Sequence, residues 1–263
     1  MDLLIKNGRV VDPSQNLDEV LDILVQDGKI SKLAKNIPAK DVEIVDATGL
    51  VVTPGLIDVH IHLREPGLEA KEDIVSGTMA AAAGGVTTVA CMPNTRPPVD
   101  SSILVSGIKA RAAEYGRARV EVIGCISKGQ EGKELAEMGD MAQVGAMAFS
   151  DDGRFVMDSS LFSSGLEYAS IFGKALISHA EDYKMSHDGY MHEGAVSSRL
   201  GIPGVPSVAE DIAVSRDILL AEYAEGHVHI AHVSTAGATE LIRQAKKRGV
   251  KVTAEVAIHH LTL

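Results

Sequence analysis

From Pro54-Gly55 onward the chain alternates short apolar, β-rich runs with stretches of helical periodicity. Strands are predicted at 56–60, 86–91, 119–124, 144–149, 175–179, 227–232 and 250–256, with helices at 72–83, 101–115, 131–142, 159–172, 207–224 and 235–248. This rhythm predicts a parallel sheet wrapped by helices, either an open doubly wound sheet or a closed (β/α)8 TIM-type barrel. The glycine-rich fingerprint that follows the first strand of a nucleotide-binding doubly wound sheet is replaced here by His60-Ile61-His62, which favours the barrel. A barrel needs eight strands and the pattern supplies seven. An incomplete α/β barrel is therefore expected, its last strand lying beyond Leu263.

Residues 1–53 have a different texture: short strand-like runs punctuated by Asn7-Gly8 and Asp27-Gly28, both hairpin signals. They predict a small β-domain portion before a barrel portion over 54–263. Within the barrel portion, Ser207-Val208-Ala209-Glu210 has capping-box spacing, and Ser101 and Ser159 stand where they could cap the next helices. Gly84, Gly116, Gly173 and Gly249 are placed to close others. Leu104, Ile108 and Ala112 form one apolar helical stripe, and Ile212, Leu219 and Tyr223 a looser one.

A net charge of −11 and the lack of a Lys/Arg strip argue against a nucleic-acid partner. No apolar run reaches membrane-spanning length, and the N-terminus lacks the order of a secretory signal, so no membrane role is expected. Cys91 and Cys125 are too few for a disulfide framework and follow apolar runs, as buried thiols of a reduced, cytoplasmic protein would.

In a barrel the chemistry sits where the strands end, so the residues just past each strand matter most. The first strand delivers His60 and His62, which share a face at strand spacing, followed by Arg64. The second ends in Met92-Pro93-Asn94-Thr95, the fourth in Ser150-Asp151-Asp152-Gly153, the fifth in Ser178-His179-Ala180-Glu181 and the sixth in His232-Val233-Ser234-Thr235. A lone His179 or His232 would be an ordinary core histidine, and Asp151-Asp152-Gly153 alone an ordinary turn. Imidazoles on three strand ends with a carboxylate on a fourth exceed what one zinc needs, and point to two metals sharing Asp152 as a bridge. Arg64 and Asn94 suit a substrate carboxylate. His187, His192, His227 and His229 read as structural, with His229 facing away from His232 on a regular strand. His259 and His260 lie past strand seven, with at most a supporting role.

Several segments together resemble the class I dihydroorotases of the amidohydrolase superfamily. They are Pro54-Gly55-Leu56-Ile57-Asp58-Val59-His60-Ile61-His62-Leu63-Arg64-Glu65-Pro66-Gly67, Gly84-Gly85-Val86-Thr87-Thr88, Met92-Pro93-Asn94-Thr95, Phe149-Ser150-Asp151-Asp152-Gly153 and His229-Ile230-Ala231-His232-Val233-Ser234-Thr235. The resemblance implies a small β-sandwich built from both chain ends beside the barrel. It also implies reversible cyclisation of N-carbamoyl-L-aspartate to L-dihydroorotate in pyrimidine biosynthesis. His60 and His62 would hold one zinc, His179 and His232 the other, with Asp152 between them, and Arg64 and Asn94 would bind the substrate carboxylate. Zinc would act as a Lewis acid on the ring amide carbonyl and lower the pKa of a bridging water. The family's general base, an aspartate after strand eight, would lie beyond Leu263, so these 263 residues alone are expected to show little or no turnover.

Two other readings compete. Hydantoinases and allantoinases are similar, but they usually carry a carboxylated lysine near the end of strand four, where this chain reads Phe149-Ser150-Asp151-Asp152. A non-catalytic dihydroorotase-like subunit that scaffolds aspartate transcarbamoylase is the second. Degenerate subunits tend to lose their ligand histidines, and this chain keeps all four. The resemblance also admits a homodimer.

Overall fold

The computed structural model describes residues 2–38, 41–186 and 188–263. It divides into two compact units, Met1–Leu56 and Ile57–Leu263. The first holds β1 (Leu3–Asp12), β2 (Leu17–Gln26), β3 (Lys29–Ala34), β4 (Glu43–Asp46) and β5 (Val51–Val52). They form one sheet in the order β3-β2-β1-β4, with β5 also on β1. Asp27 and Gly28, at φ 51° and 72°, make the β2–β3 hairpin turn. Asn7-Gly8 does not turn the chain. β1 runs through it with a register shift against β2, because the Asn7 amide donates to the buried Asp22 carboxylate at 2.9 Å and makes a bulge.

The second unit carries, in chain order, β6 (Leu56–Ile61), α1 (Ile74–Ala83), β7 (Val86–Cys91), α2 (Ser102–Tyr115), β8 (Arg119–Gly124), α3 (Met138–Gln143), β9 (Ala146–Ser150), α4 (Ser159–Ile171) and β10 (Ala175–Ser178). There follow α5 (Tyr183–Ser186), β11 (Met191–His192), α6 (Ala195–Leu200), β12 (Gly204–Val205), α7 (Val208–Tyr223), β13 (His227–Ile230), α8 (Ala236–Arg248), β14 (Val252–Ala254) and α9 (Ile258–Thr262). The main sheet has the order β6-β7-β8-β9-β10-β13-β14. Its ladders from β7 to β14 are parallel. A doubly wound sheet reverses its strand order at a switch point, and this one never does, so it is an incomplete barrel.

Alternation along the strands sorts the core into two layers. Val89, Cys91, Val122, Phe149, Leu176 and Val228 lie with Val105, Ile108, Phe162, Leu166, Ile218 and Ile242 of the helices. Ala90, Met92, Ile123, Ala148, Ile177 and Ala231 form a smaller cluster of their own. Burying side chains as large as Phe149, Phe162 and Leu176 stabilises the fold by roughly 1.5–3 kcal/mol each.

Several local expectations give way to tertiary contacts. The helix predicted over 131–142 is only Met138–Gln143. Positive φ at Gly129 and Gly132 and a bridge between Ser127 and Leu135 keep the preceding residues extended and looped. Ser207 and Ser101 give no side-chain cap, and α4 is capped by Asp158 rather than Ser159. Glu210 is drawn away from the α7 N-terminus to accept from the backbone of Ser234 and Thr235. On α7 the buried face is Ala209, Ala213, Val214, Asp217, Ile218 and Ala221, while Ile212, Leu219 and Tyr223 are exposed. Alanines alternate with Val214 and Ile218 on the buried face, and the predicted apolar stripe faces outward. No helix among the described residues is long and apolar enough to cross a membrane.

Candidate metal centre

Each proposed ligand is delivered by the C-terminal end of a strand. His60 lies near the end of β6, and His62 just past it. Asp152 follows β9, His179 follows β10, and His232 comes two residues after β13. Gly153, at φ 79°, lets the chain turn away directly after Asp152. His232 itself takes φ 37°. Regular alternation therefore stops at Ile230, and His229 does not point away from the site as a regular strand would require.

Asp152 is buried, and four imidazoles surround its two oxygens. Oδ1 stands 3.4 Å from His60 Nε2, 3.5 Å from His179 Nδ1 and 3.7 Å from His232 Nε2. Oδ2 stands 3.6 Å from His62 Nε2 and accepts from Asn94 Nδ2 at 3.4 Å. Asp152 Oδ1 has no hydrogen-bond partner among the described residues. A buried, unpaired carboxylate oxygen facing three imidazole nitrogens is costly unless something binds there. Two ligands each ~2.1 Å from one tetrahedral zinc lie ~3.4 Å apart, close to the spacing observed. Ligand atoms of His60, Asp152 and His232 all lie within 4.8 Å of one another. The residues fit a divalent cation.

The electrostatics of the cluster favour positive charge. Burial opposes charging His60, but Asp152 and Glu255 outweigh it and raise its pKa to about 9. Burial would also raise the pKa of Asp152; the surrounding histidines outweigh that and hold it far below the usual carboxylate range. For His62 burial dominates and lowers the pKa, with the charge of Arg64 adding to the effect.

The outer nitrogens of three histidines are tied in turn, as second partners of metal-binding imidazoles commonly are. His62 Nδ1 donates to Asn94 Oδ1 at 2.9 Å, and His60 Nδ1 donates to Glu255 at 2.5 Å. His179 Nε2 faces Glu181 at 3.3 Å. Asn94 thus braces His62 in this structure, a contact its sequence position did not suggest. Glu255 was missed because the strand predicted over 250–256 enclosed it, whereas β14 ends at Ala254 and leaves Glu255 at the site. Glu181 stands two residues past His179, a spacing that alone assigns it no role.

Around this cluster the chain is tightly anchored. Asp151 is buried and accepts from the Ile126 and Ser127 amides at 2.9 and 3.1 Å, as well as from the Ser127 hydroxyl. Ser178, next to His179, donates to Asp217 at 2.5 Å. Arg216 also pairs with Asp217, stacks on Phe155 and donates to the Val156 carbonyl, in the loop that follows Asp152. Burial pushes the Asp217 carboxyl up to about 6.

Arg64 is half-buried at φ 60°, near His62. Beside Asp152 a cleft of about 350 Å³ is lined in part by Asn94, Arg96, Gln130 and Arg154. Cys91 and Cys125 are buried free thiols, Cys91 pushed up to about 12 by burial. His192 is exposed, as are His259 and His260 on α9. His187 lies outside the described residues.

Residues 49–238 match the family model described as dihydro-orotase-like. The chain belongs to the dihydro-orotase-like family. It is 53% identical to a dihydroorotase of Pelobacter propionicus and 55% identical to one of Geobacter sulfurreducens, each over the whole chain and 62% of the relative. The chain therefore spans less than two thirds of the length of these relatives. Among solved structures, an L-hydantoinase from Arthrobacter aurescens superposes with a TM-score of 0.83 at 23% identity, covering 100% of this chain and 59% of the neighbour. A D-hydantoinase superposes at 0.80 and 27% identity with the same coverage. Both likenesses support the barrel assignment of the family.

Proposed function

We propose that this chain carries the metal-binding part of a dihydroorotase, which interconverts N-carbamoyl-L-aspartate and L-dihydroorotate in pyrimidine biosynthesis. The observation that carries the reading is the orphaned Asp152 Oδ1 within 3.4–3.7 Å of His60, His179 and His232. Residues 1–53 are read as part of a small β-sandwich and 54–263 as the barrel.

His60, His62, Asp152, His179 and His232 would hold two zinc ions. When bound, these would supply Lewis acidity toward a ring amide carbonyl and lower the pKa of a water. The chain's own groups do the rest. Asp152 supplies negative charge between the four imidazoles. Asn94 orients His62 through Nδ1, leaving Nε2 toward Asp152. Arg64 and Asn94 would hold the substrate carboxylate, and the cleft beside Asp152 has room for a small ring.

Asp152 in place of a strand-four lysine, together with the two dihydroorotase relatives, favours dihydroorotate over hydantoin or allantoin. We also propose a cytoplasmic setting, consistent with two free buried thiols, and, as separate readings, a homodimer and an association with aspartate transcarbamoylase. The test is hydrolysis by the full-length protein of dihydroorotate beside hydantoin and allantoin. Dihydroorotate should be preferred, and Arg64→Ala should raise its KM. Preferred turnover of the uncarboxylated rings would overturn the reading.

A further inference from the structure

Glu255 joins two parts of the fold that the sheet keeps apart. β6 and β14 are its opposite edges, yet Glu255, one residue past β14, accepts from His60 Nδ1 at 2.5 Å. Its backbone is fixed on both sides: the Glu255 amide donates to the Ile230 carbonyl at 3.1 Å, and the Val233 amide donates to the Glu255 carbonyl at 2.9 Å. Those two partners flank His232. The other carboxylate oxygen stands 3.4 Å from His229 Nε2, and the opposite nitrogen of that ring is 2.8 Å from the Thr253 hydroxyl. The carboxylate is mostly buried, at 15% exposure, between two imidazoles that are equally enclosed.

We propose that Glu255 is a positioning residue for the metal centre. By holding the Nδ1–H of His60 it fixes the ring so that Nε2 points at Asp152, and through its backbone it ties that ring to the loop that carries His232. Accepting a hydrogen bond from the far nitrogen of a metal-binding imidazole fixes the tautomer and orientation and strengthens the ligand. The inference rests on reading the cluster as a metal centre, and is independent of which ring is the substrate.

The test is the affinity of the full-length protein for cobalt(II), measured by chelator competition and followed by the visible absorption of the bound ion. Glu255→Ala should weaken binding by about tenfold or more. Glu255→Gln, which keeps an acceptor oxygen for Nδ1, should recover part of that loss. In a His60→Ala background Glu255→Ala should cause no further loss, because the group it positions is gone. Should Glu255→Ala not fold, Glu255→Leu fills a similar volume without an acceptor and is read in the same two backgrounds. Unchanged cobalt affinity would overturn the proposal, as would an equal loss with and without His60. These readouts use no substrate, so a protein that fails to hydrolyse dihydroorotate yet shows this pattern would refute the proposed reaction and leave the role of Glu255 standing.

Discussion

His60 and Glu255 lie 195 residues apart in sequence and on opposite edges of the sheet, and their side chains meet at 2.5 Å. The sheet must curl for its first and last strands to approach, so this contact reports the barrel and the site together. It also sets the charge balance, since Glu255 is drawn down to about 2 against its own burial by His229 and His60.

That coupling gives the metal-free protein a defined pH dependence. The folded pKa of His60 is raised from 6.5 to about 9, so its pairing stabilises the fold fully below pH 6.5 and is lost as pH rises through 9. The loss amounts to about 3 kcal/mol by linkage. Urea unfolding of chelator-treated protein from pH 6 to 10 should show the decline, and His60→Asn should flatten it.

Asp152 is the group all four imidazoles face, so its removal should cost more metal than loss of any one histidine. On the binuclear reading, metal analysis of the purified protein should fall from two ions per chain to one or none in Asp152→Ala. Full retention would show that the ions sit elsewhere.

The Arg216–Asp217 pair holds Ser178 on one side and the Val156 carbonyl on the other. Arg216→Ala leaves Asp217 buried and uncompensated and removes the stacking on Phe155, so stability should fall by roughly 3–5 kcal/mol. A variant as stable as the parent in thermal unfolding would mean that the pair contributes little.

Asp151→Ala strands two buried amides and the Ser127 hydroxyl proton in the loop that follows β8. At about 1–3 kcal/mol for each unsatisfied group, the net loss should exceed about 2 kcal/mol. Denaturant melts of the metal-free protein isolate this from any effect on metal.

The barrel and its five proposed ligands were legible because alternation locates strands, and a barrel places its chemistry just past their ends. The structure brings His60, His62, Asp152, His179 and His232 together, and approximate boundaries sufficed to single them out at strand ends. Glu255 needed an accurate one, and the apolar run past Ala254 concealed it. Glu210 looked like a helix cap because local spacing cannot show that Ser234, 24 residues away, offers better donors. The exposed stripe of α7 misled for a related reason: Ala209, Ala213 and Ala221 carry much of the buried face, and a periodicity built on the larger apolar residues passes over them. The bracing of His62 by Asn94 depends on side-chain geometry across 32 residues, which strand counting does not reach.

The most direct test is a crystal structure of the full-length protein with anomalous diffraction recorded at the zinc edge. Two peaks should flank Asp152, one beside His60 and His62 and the other beside His179 and His232. A protein grown with zinc that shows no peak within coordinating distance of Asp152 would contradict the metal centre and the function built on it.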